Sequence, residues 1–275
     1  MQHLGEEVLS ADGVTHVVRI GATVRRPLRP FTMTVQQYLT CIRARGFSGA
    51  PEPLGVDELG REVLSYVEGE IPVEPLPNWA TGPEVVVALA QLIRELHDAA
   101  QGWEPPTDAI FGAIPGILPP EQILDFGEPY LVSHRDYCPG NVVFRGGLSV
   151  AFIDFDLARP TTRVSDIVNA LYWWAPLRHP ADRAPSLVDA DVVARVVLFA
   201  NSYGMNAAQR AHLVPVAVAQ LHGMHLRARA AAQVDPVFAR WWEQSVKDRM
   251  PRAEAWLAGV AELISSALRG TGSAK

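Results

Sequence analysis

The chain has 275 residues, 48% of them hydrophobic, and a formal net charge of −6. It is long enough to bury a sizeable core as one large domain or two lobes, and its acidic balance argues against general nucleic-acid binding. No stretch has the unbroken apolar length of a membrane span, so no membrane partner is expected. The opening MQHLGEEVLS has neither the basic nor the apolar region of an export signal. Cys41 and Cys138 have no metal-ligand spacing and no disulfide framework, so a reducing, cytoplasmic setting is expected.

Residues 7–10, 16–20 and 23–26 read as short strands, separated by turns at Asp12-Gly13 and Gly21-Ala22. Val35, Tyr38, Leu39 and Ile42 then recur at helical spacing, and Gly46 stops that helix. Two more strands are predicted around 53–56 and 62–67, followed by a hinge over 66–71 that contains Gly69. Val85, Leu89, Leu92 and Leu96 mark one face of a long buried helix over 83–99. A hairpin is expected from 131 to 154, and the rest is mainly helical, over 165–174, 189–203, 206–231 and 235–268, with a frayed tail after 270.

The hairpin carries the chemistry. Leu131 to Ser133 reads as a buried strand delivering His134 and Asp136 on a loop. Asn141 opens the next apolar run, Gly146-Gly147 is a strong hairpin turn, and the return strand brings Asp154 back beside Asn141. An amide oxygen and two carboxylates at one end of a hairpin suit Mg²⁺, which takes few protein oxygens and the phosphates of its nucleotide. In that arrangement Asp136 receives or orients the proton of an attacking hydroxyl, Asn141 and Asp154 hold the metal, and His134 braces the loop.

His134-Arg135-Asp136 with Pro139-Gly140-Asn141, followed by Ile153-Asp154-Phe155-Asp156, resembles the aminoglycoside phosphotransferase and choline kinase superfamily. The resemblance implies an α+β, protein-kinase-like, two-lobed fold. Residues 1–68 would form a small antiparallel-sheet lobe with one helix, and 69–275 a large, mainly helical catalytic and substrate lobe. It also implies a phosphotransferase that moves the γ-phosphate of ATP or GTP, with Mg²⁺, to a hydroxyl of a small molecule such as an aminoglycoside or similar natural product. Backbone groups around Ser65, Tyr66 and Val67 would bind the base. Asp166 would either cap the following helix or tie it to the catalytic loop. A protein kinase is not expected: the chain from Leu157 to Val164 leads quickly into a helix, Ala175-Pro176 lacks the following Glu, and Cys138 stands where a protein kinase places a phosphate-contacting Lys.

The first lobe departs from the kinase pattern. The chain's only lysines are Lys247 and Lys275, so in this lobe an arginine must face the phosphates; Arg25 fits best, with Arg26 on the opposite strand face as the fallback. No acidic residue between Asp12 and Glu52 supplies the usual helix partner; the helix offers Gln36 and Gln37 instead. The loop Ser10-Ala11-Asp12-Gly13-Val14 has one glycine where a phosphate cradle would have several. These departures leave open a catalytically inactive nucleotide-binding scaffold, beside a metabolic kinase of amino alcohols or sugars. For a cationic acceptor the candidate carboxylates are Glu243, Asp248 and Glu254, equally readable as helix surface. His222 and His225 near Arg227 and Arg229 would suit an anionic group, or are packing and surface residues. Trp173, Trp174, Trp241 and Trp242 either stack on sugar rings or fill the core, and His97 reads as a satisfied structural histidine.

Overall fold

A computed structural model describes residues 5–10, 16–119 and 127–270. The expected Asp12-Gly13 turn, most of the Ser10–Val14 loop and the tail beyond 270 lie outside them. Strands β1 (Glu7–Ser10), β2 (Val17–Ile20), β3 (Thr23–Pro27), β4 (Pro53–Val56) and β5 (Arg61–Ser65) form one antiparallel sheet in the order β1-β2-β3-β5-β4. Helix α1 (Thr32–Ala44) lies between β3 and β4 in the chain and buries Val35, Leu39 and Ile42, the stripe that its spacing predicts. It ends at Gly46, whose φ of 93° is the left-handed value that favours glycine after a helix.

The chain leaves the sheet through Tyr66–Gly69 and joins the body at Glu70. Glu70 and Phe144 exchange backbone hydrogen bonds of 2.8 Å in both directions. Gly69 has φ 147°, and a Cβ there would lie 2.4 Å from the Phe144 carbonyl oxygen, so only glycine permits this approach. Helix α2 (Pro83–Ala100) then runs through the centre of the molecule with Val85, Leu89, Ile93 and Leu96 fully buried. One apolar core runs from α1 across α2 to the later helices, and Tyr38 of α1 donates to the Val132 carbonyl at 2.9 Å.

Strand β6 (Leu131–Ser133) pairs with β9 (Arg159–Thr161), a strand not expected from Arg159-Pro160-Thr161 because proline cannot donate to a ladder. Strands β7 (Val142–Arg145) and β8 (Leu148–Phe152) form the expected hairpin, with Gly146 and Gly147 at φ 60° and 81°. Helices α3 (Arg163–Trp174), α4 (Val192–Tyr203) and α5 (Ala207–Ala232) follow. The single helix expected over 235–268 is instead α6 (Pro236–Trp241), a π turn at Trp242–Val246, and α7 (Lys247–Gly270). Pro251 lacks the N–H that a regular helix would aim four residues back, and the wide turn stands just upstream of that break.

The elements around the hairpin are tied by one buried carboxylate. Thr162 caps α3 through its hydroxyl, which frees Asp166 for another task. Asp166, fully buried, accepts from His97 Nε2 at 2.8 Å, Ser133 Oγ at 2.7 Å, Tyr137 OH at 2.5 Å and the Arg135 N–H at 3.2 Å. The other His97 nitrogen meets Tyr203 OH at 2.8 Å, so the ring is satisfied on both edges and joins α2, α3 and α4. Burial alone would raise the Asp166 pKa, but hydrogen bonding and charge from His97, with Arg135 and Tyr137, outweigh it and hold the carboxyl at about 2. Burial lowers the His97 pKa, against the pull of Asp166.

Asp166→Ala should therefore cost about 3–5 kcal/mol of stability, read from urea unfolding, because it strands several buried donors. A depressed carboxylate stabilises the fold fully above its unfolded value and loses that contribution as pH falls towards its folded value. Wild-type stability should thus drop by about 2–3 kcal/mol between roughly pH 4 and 2 through this group, a component that Asp166→Asn should lack.

Candidate active site

The loop between β6 and β7 is shaped by its own side chains. Arg135 adopts φ 65°, unusual for a side chain with a Cβ, and is held there by its N–H on Asp166 and its guanidinium on Ser165 Oγ at 3.0 Å. His134 is fully buried against the rings of Phe155, Tyr137 and Phe152. Its Nε2 donates to the Ile153 carbonyl at 2.8 Å and its Nδ1 accepts the Asp136 N–H at 3.2 Å, which fixes the tautomer. His134 thereby joins the loop to the end of β8. Asn141 accepts the Ile153 N–H on its backbone oxygen at 3.0 Å, so Asp154 emerges beside it, at φ 60°.

Asp136, Asn141 and Asp154 therefore meet at one end of the hairpin. The Asn141 amide nitrogen donates to Asp136 Oδ2 at 2.9 Å and to the Asp136 backbone oxygen at 3.1 Å. Its Oδ1 has no hydrogen-bond partner among the described residues. Burial raises the Asp136 pKa against the pull of His134, and Asp154 adds to the rise. Burial also keeps the neighbouring Cys138 thiol protonated, with the Asp136 charge acting the same way, so this cysteine is a poor nucleophile.

Opposite this cluster the sheet presents Arg26, not Arg25. Strand alternation sends Arg25 to the other face, where its Nε lies 3.4 Å from Asp57 Oδ2. Arg26 is 8% exposed and pairs across the strands with Glu62, its register partner on β5, at 2.5 Å. The far end of its guanidinium reaches Asp156 at 2.7 Å and Asp154 at 3.1 Å. Glu62 is fully buried, and Gln36 of α1 donates to its second oxygen at 3.2 Å. The cation–carboxylate pair missing from the helix is thus built between two strands, with the helix contributing only an amide. Burial would lower the Arg26 pKa, but Asp156, Glu62 and Asp154 together raise it. Asp156 is pushed up to about 6, by burial first and then by Asp154, against the pull of Arg26. Sequence reasoning missed Glu62 because it sought the acid on the helix; the available signal was an acidic residue in an otherwise apolar strand opposite an arginine.

Between sheet and hairpin lies a cavity of about 520 Å³. Val17, Val24 and Leu64 line it from the sheet, Ile153 from the hairpin, and Ser65, Tyr66 and Val67 from the hinge; Arg26, Asn141 and Asp154 stand in its wall. Arg25 is not in that lining. The Ser65 N–H goes to Glu52 O at 2.9 Å and the Tyr66 N–H to Ala22 O at 2.8 Å, whereas the Val67 backbone has no partner among the described residues. Among those residues no group of three or more His, Cys, Asp and Glu side chains forms a closed metal cage. The open set of Asn141 Oδ1 and the half-exposed Asp154 carboxylate fits Mg²⁺, which completes its shell with water and phosphate oxygens.

These placements separate the two arginines. Glu62→Ala, which leaves Arg26 buried without its main partner, should cost about 3–5 kcal/mol in chemical denaturation, whereas Arg25→Ala should cost at most about 1 kcal/mol.

The sequence profile of the phosphotransferase enzyme family matches residues 107–191, the stretch that includes the loop and hairpin. A trifolitoxin immunity protein of Rhizobium leguminosarum bv. trifolii is 30% identical over 276 residues, covering 96% of this chain and 98% of that protein. In fold, the chain is similar to a choline/ethanolamine kinase family protein from Mesorhizobium loti (TM-score 0.63, 16% identity, 97% of this chain and 92% of that one). It is also similar to an amicoumacin kinase in complex with AMP-PNP and Ca²⁺ (TM-score 0.61, 14% identity, 95% and 88% covered). A third similar structure is a gentamicin complex of an aminoglycoside phosphotransferase (TM-score 0.55, 12% identity, 92% and 93% covered). With its antiparallel sheet, hinge and helical body, the chain has the kinase-like fold and belongs to the phosphotransferase enzyme family, in the superfamily of aminoglycoside phosphotransferases and choline kinases that act on small-molecule hydroxyl groups.

Proposed function

We propose that this protein transfers the γ-phosphate of ATP or GTP to a hydroxyl of a natural product of the antibiotic or toxin kind, in a self-protective role. The observation that carries the reading is the convergence of Asp136, Asn141 and Asp154 at the mouth of the interlobe cavity, with Arg26 facing them. The apolar walls of the cavity and the Val67 backbone would hold the base, and Arg26 would face the phosphates. Asn141 Oδ1 and Asp154 would hold Mg²⁺, which would supply neutralisation of phosphate charge. Asp136 accepts the proton of the acceptor hydroxyl as its oxygen bonds to the γ-phosphorus; the bond from that phosphorus to the β-phosphate oxygen breaks, and the nucleoside diphosphate leaves. A buried carboxylate with a raised pKa suits that proton transfer. His134 sets the loop without entering the chemistry.

The immunity protein at 30% identity supports a toxin-like acceptor, and the amicoumacin and gentamicin complexes are in keeping with it. An aminoglycoside itself is less well served. Glu254 already accepts from His225 at 2.7 Å and His222 at 3.1 Å, and Glu243 pairs with Lys247 at 2.5 Å. The inactive-scaffold alternative rests on a missing cation–carboxylate pair and a thin glycine loop; Arg26 with Glu62 supplies the pair, and most of the loop lies outside the described residues.

Asp136→Ala should lower phosphate transfer by about 10²–10⁴-fold. The melting-temperature rise on adding Mg-nucleotide should persist in this variant, since ligand binding to the native state stabilises by mass action. Full activity in the variant would remove Asp136 as the base, and no rise with ATP or GTP in the wild type would end the phosphotransferase reading.

A further inference from the structure

The segment between α3 and α4 is held in place largely by arginines, and most of them are satisfied. Arg195 donates to the Trp174 carbonyl at 2.9 and 2.8 Å. Arg183 reaches the carbonyls of Arg178, Val188 and Ala190. Arg252 of α7 forks Asp182 at 2.9 and 2.5 Å, and Ser186 ties the segment to the Leu76 carbonyl at 2.6 Å. Arg178 differs. It is 8% exposed, with its guanidinium 4.2 Å from the Tyr172 ring centre and 4.1 Å from that of Trp173. Its Nε donates to the Tyr172 carbonyl at 3.2 Å, but its Nη2 is buried with no hydrogen-bond acceptor among the described residues. Arg249 of α7 has the same deficiency at its buried Nε.

Two guanidiniums with unsatisfied donors and mutually repelling charge are an unusual arrangement, because buried polar groups are normally bonded and buried charges paired. Burial lowers the Arg178 pKa and the charge of Arg249 adds to the effect, with Tyr172, Glu74 and Asp182 offsetting in part. Asp182 is already engaged by Arg252.

The helix that carries Trp173 also contacts the loop of Asp136. Asn169 Oδ1 accepts the Tyr137 N–H at 2.8 Å, and Trp174 Nε1 donates to the Tyr137 carbonyl at 2.7 Å, so α3 grips the residue that follows Asp136. Trp173 lies four residues beyond Asn169 on the same side of α3, about 6 Å along the axis.

We propose that Arg178, together with Arg249, binds an oxyanion of the acceptor, a carboxylate or a phosphate group, while Trp173 covers the adjoining carbon skeleton. A planar guanidinium fork matches either anion, and an anion between the two arginines would supply the acceptors that both lack and cancel their repulsion. This assignment rests on the phosphotransferase reading for its view of the anion as part of the acceptor, and it makes that acceptor unlike a polycation.

The test is a melting-temperature titration of protein saturated with Mg²⁺ and AMP-PNP, which fills the phosphate positions near Arg26. Inorganic phosphate and glycerate are added separately at constant ionic strength. The expected result is a saturable rise with at least one of them, and the better one names the anion. The apparent affinity should fall at least tenfold in Arg178→Met and in Arg249→Gln, and should be kept in Asp136→Ala. Arg178→Lys, which retains the charge but loses the fork, gives the same reading should the methionine variant fail to fold. No rise with either anion, or an unchanged rise in Arg249→Gln, overturns the proposal. If AMP-PNP itself gives no rise, the phosphotransferase reading fails, and the same anion titrations without nucleotide still decide whether Arg178 and Arg249 bind an oxyanion.

Discussion

The Asp166 carboxylate collects a ring nitrogen, two hydroxyls and a backbone N–H from α2, β6 and the loop that follows β6. Each of these donors would be costly to bury alone, and one ionised acceptor serves them all, which is why the group stays charged in the interior. Through the Arg135 N–H it supports a backbone conformation that most residues avoid. That conformation in turn aims Asp136 at the end of the hairpin. The position of the proposed base thus depends on a residue that never approaches the substrate, and the His97–Tyr203 link carries the same restraint into α4.

A second knot faces the first across the cavity. Arg26 neutralises Glu62 within the sheet and, with the other end of its guanidinium, Asp154 and Asp156 beyond the cleft. A lysine is a point charge on a flexible stem and could not span both sets at once, whereas the planar fork of arginine presents donors to two sides. The substitution of arginine for the usual lysine is therefore coupled to the movement of its acid from the helix to the neighbouring strand. Glu62 lies directly opposite Arg26 in the register, close enough for a short charged contact. Gln36 then needs only to complete the hydrogen bonding of Glu62.

The hairpin was readable because its information is local. Gly146-Gly147 dictates the turn, the apolar runs on either side set the pairing, and the spacing from Asp136 to Asn141 and from Asn141 to Asp154 then follows. The stripe on α1 and the long apolar face of α2 were legible for the same reason. The choice between Arg25 and Arg26 was harder, because Thr23 to Pro27 shows no apolar alternation that marks an inner face. Only Val24, which lines the cavity two residues before Arg26, hints at which side turns inward. The division of the last helix escaped because a periodic pattern does not register where a proline forces a wider turn.

By itself, the sequence determined the family-like hairpin, the order of strands and helix in the first lobe, and the residue types gathered around Asp136. Tertiary structure decided which charges neutralise which. Arg26 finds Glu62 thirty-six positions away and Asp154 one hundred and twenty-eight away. Asp166 gathers donors from segments far apart in the chain, and Arg178 and Arg249 are left short of acceptors among the described residues by a loop and a helix that no local pattern brings together. Turn chemistry and periodicity act over a few residues, so they can be read along the chain. The pairing of buried charges depends on which faces pack together, and that is settled only when the whole core closes.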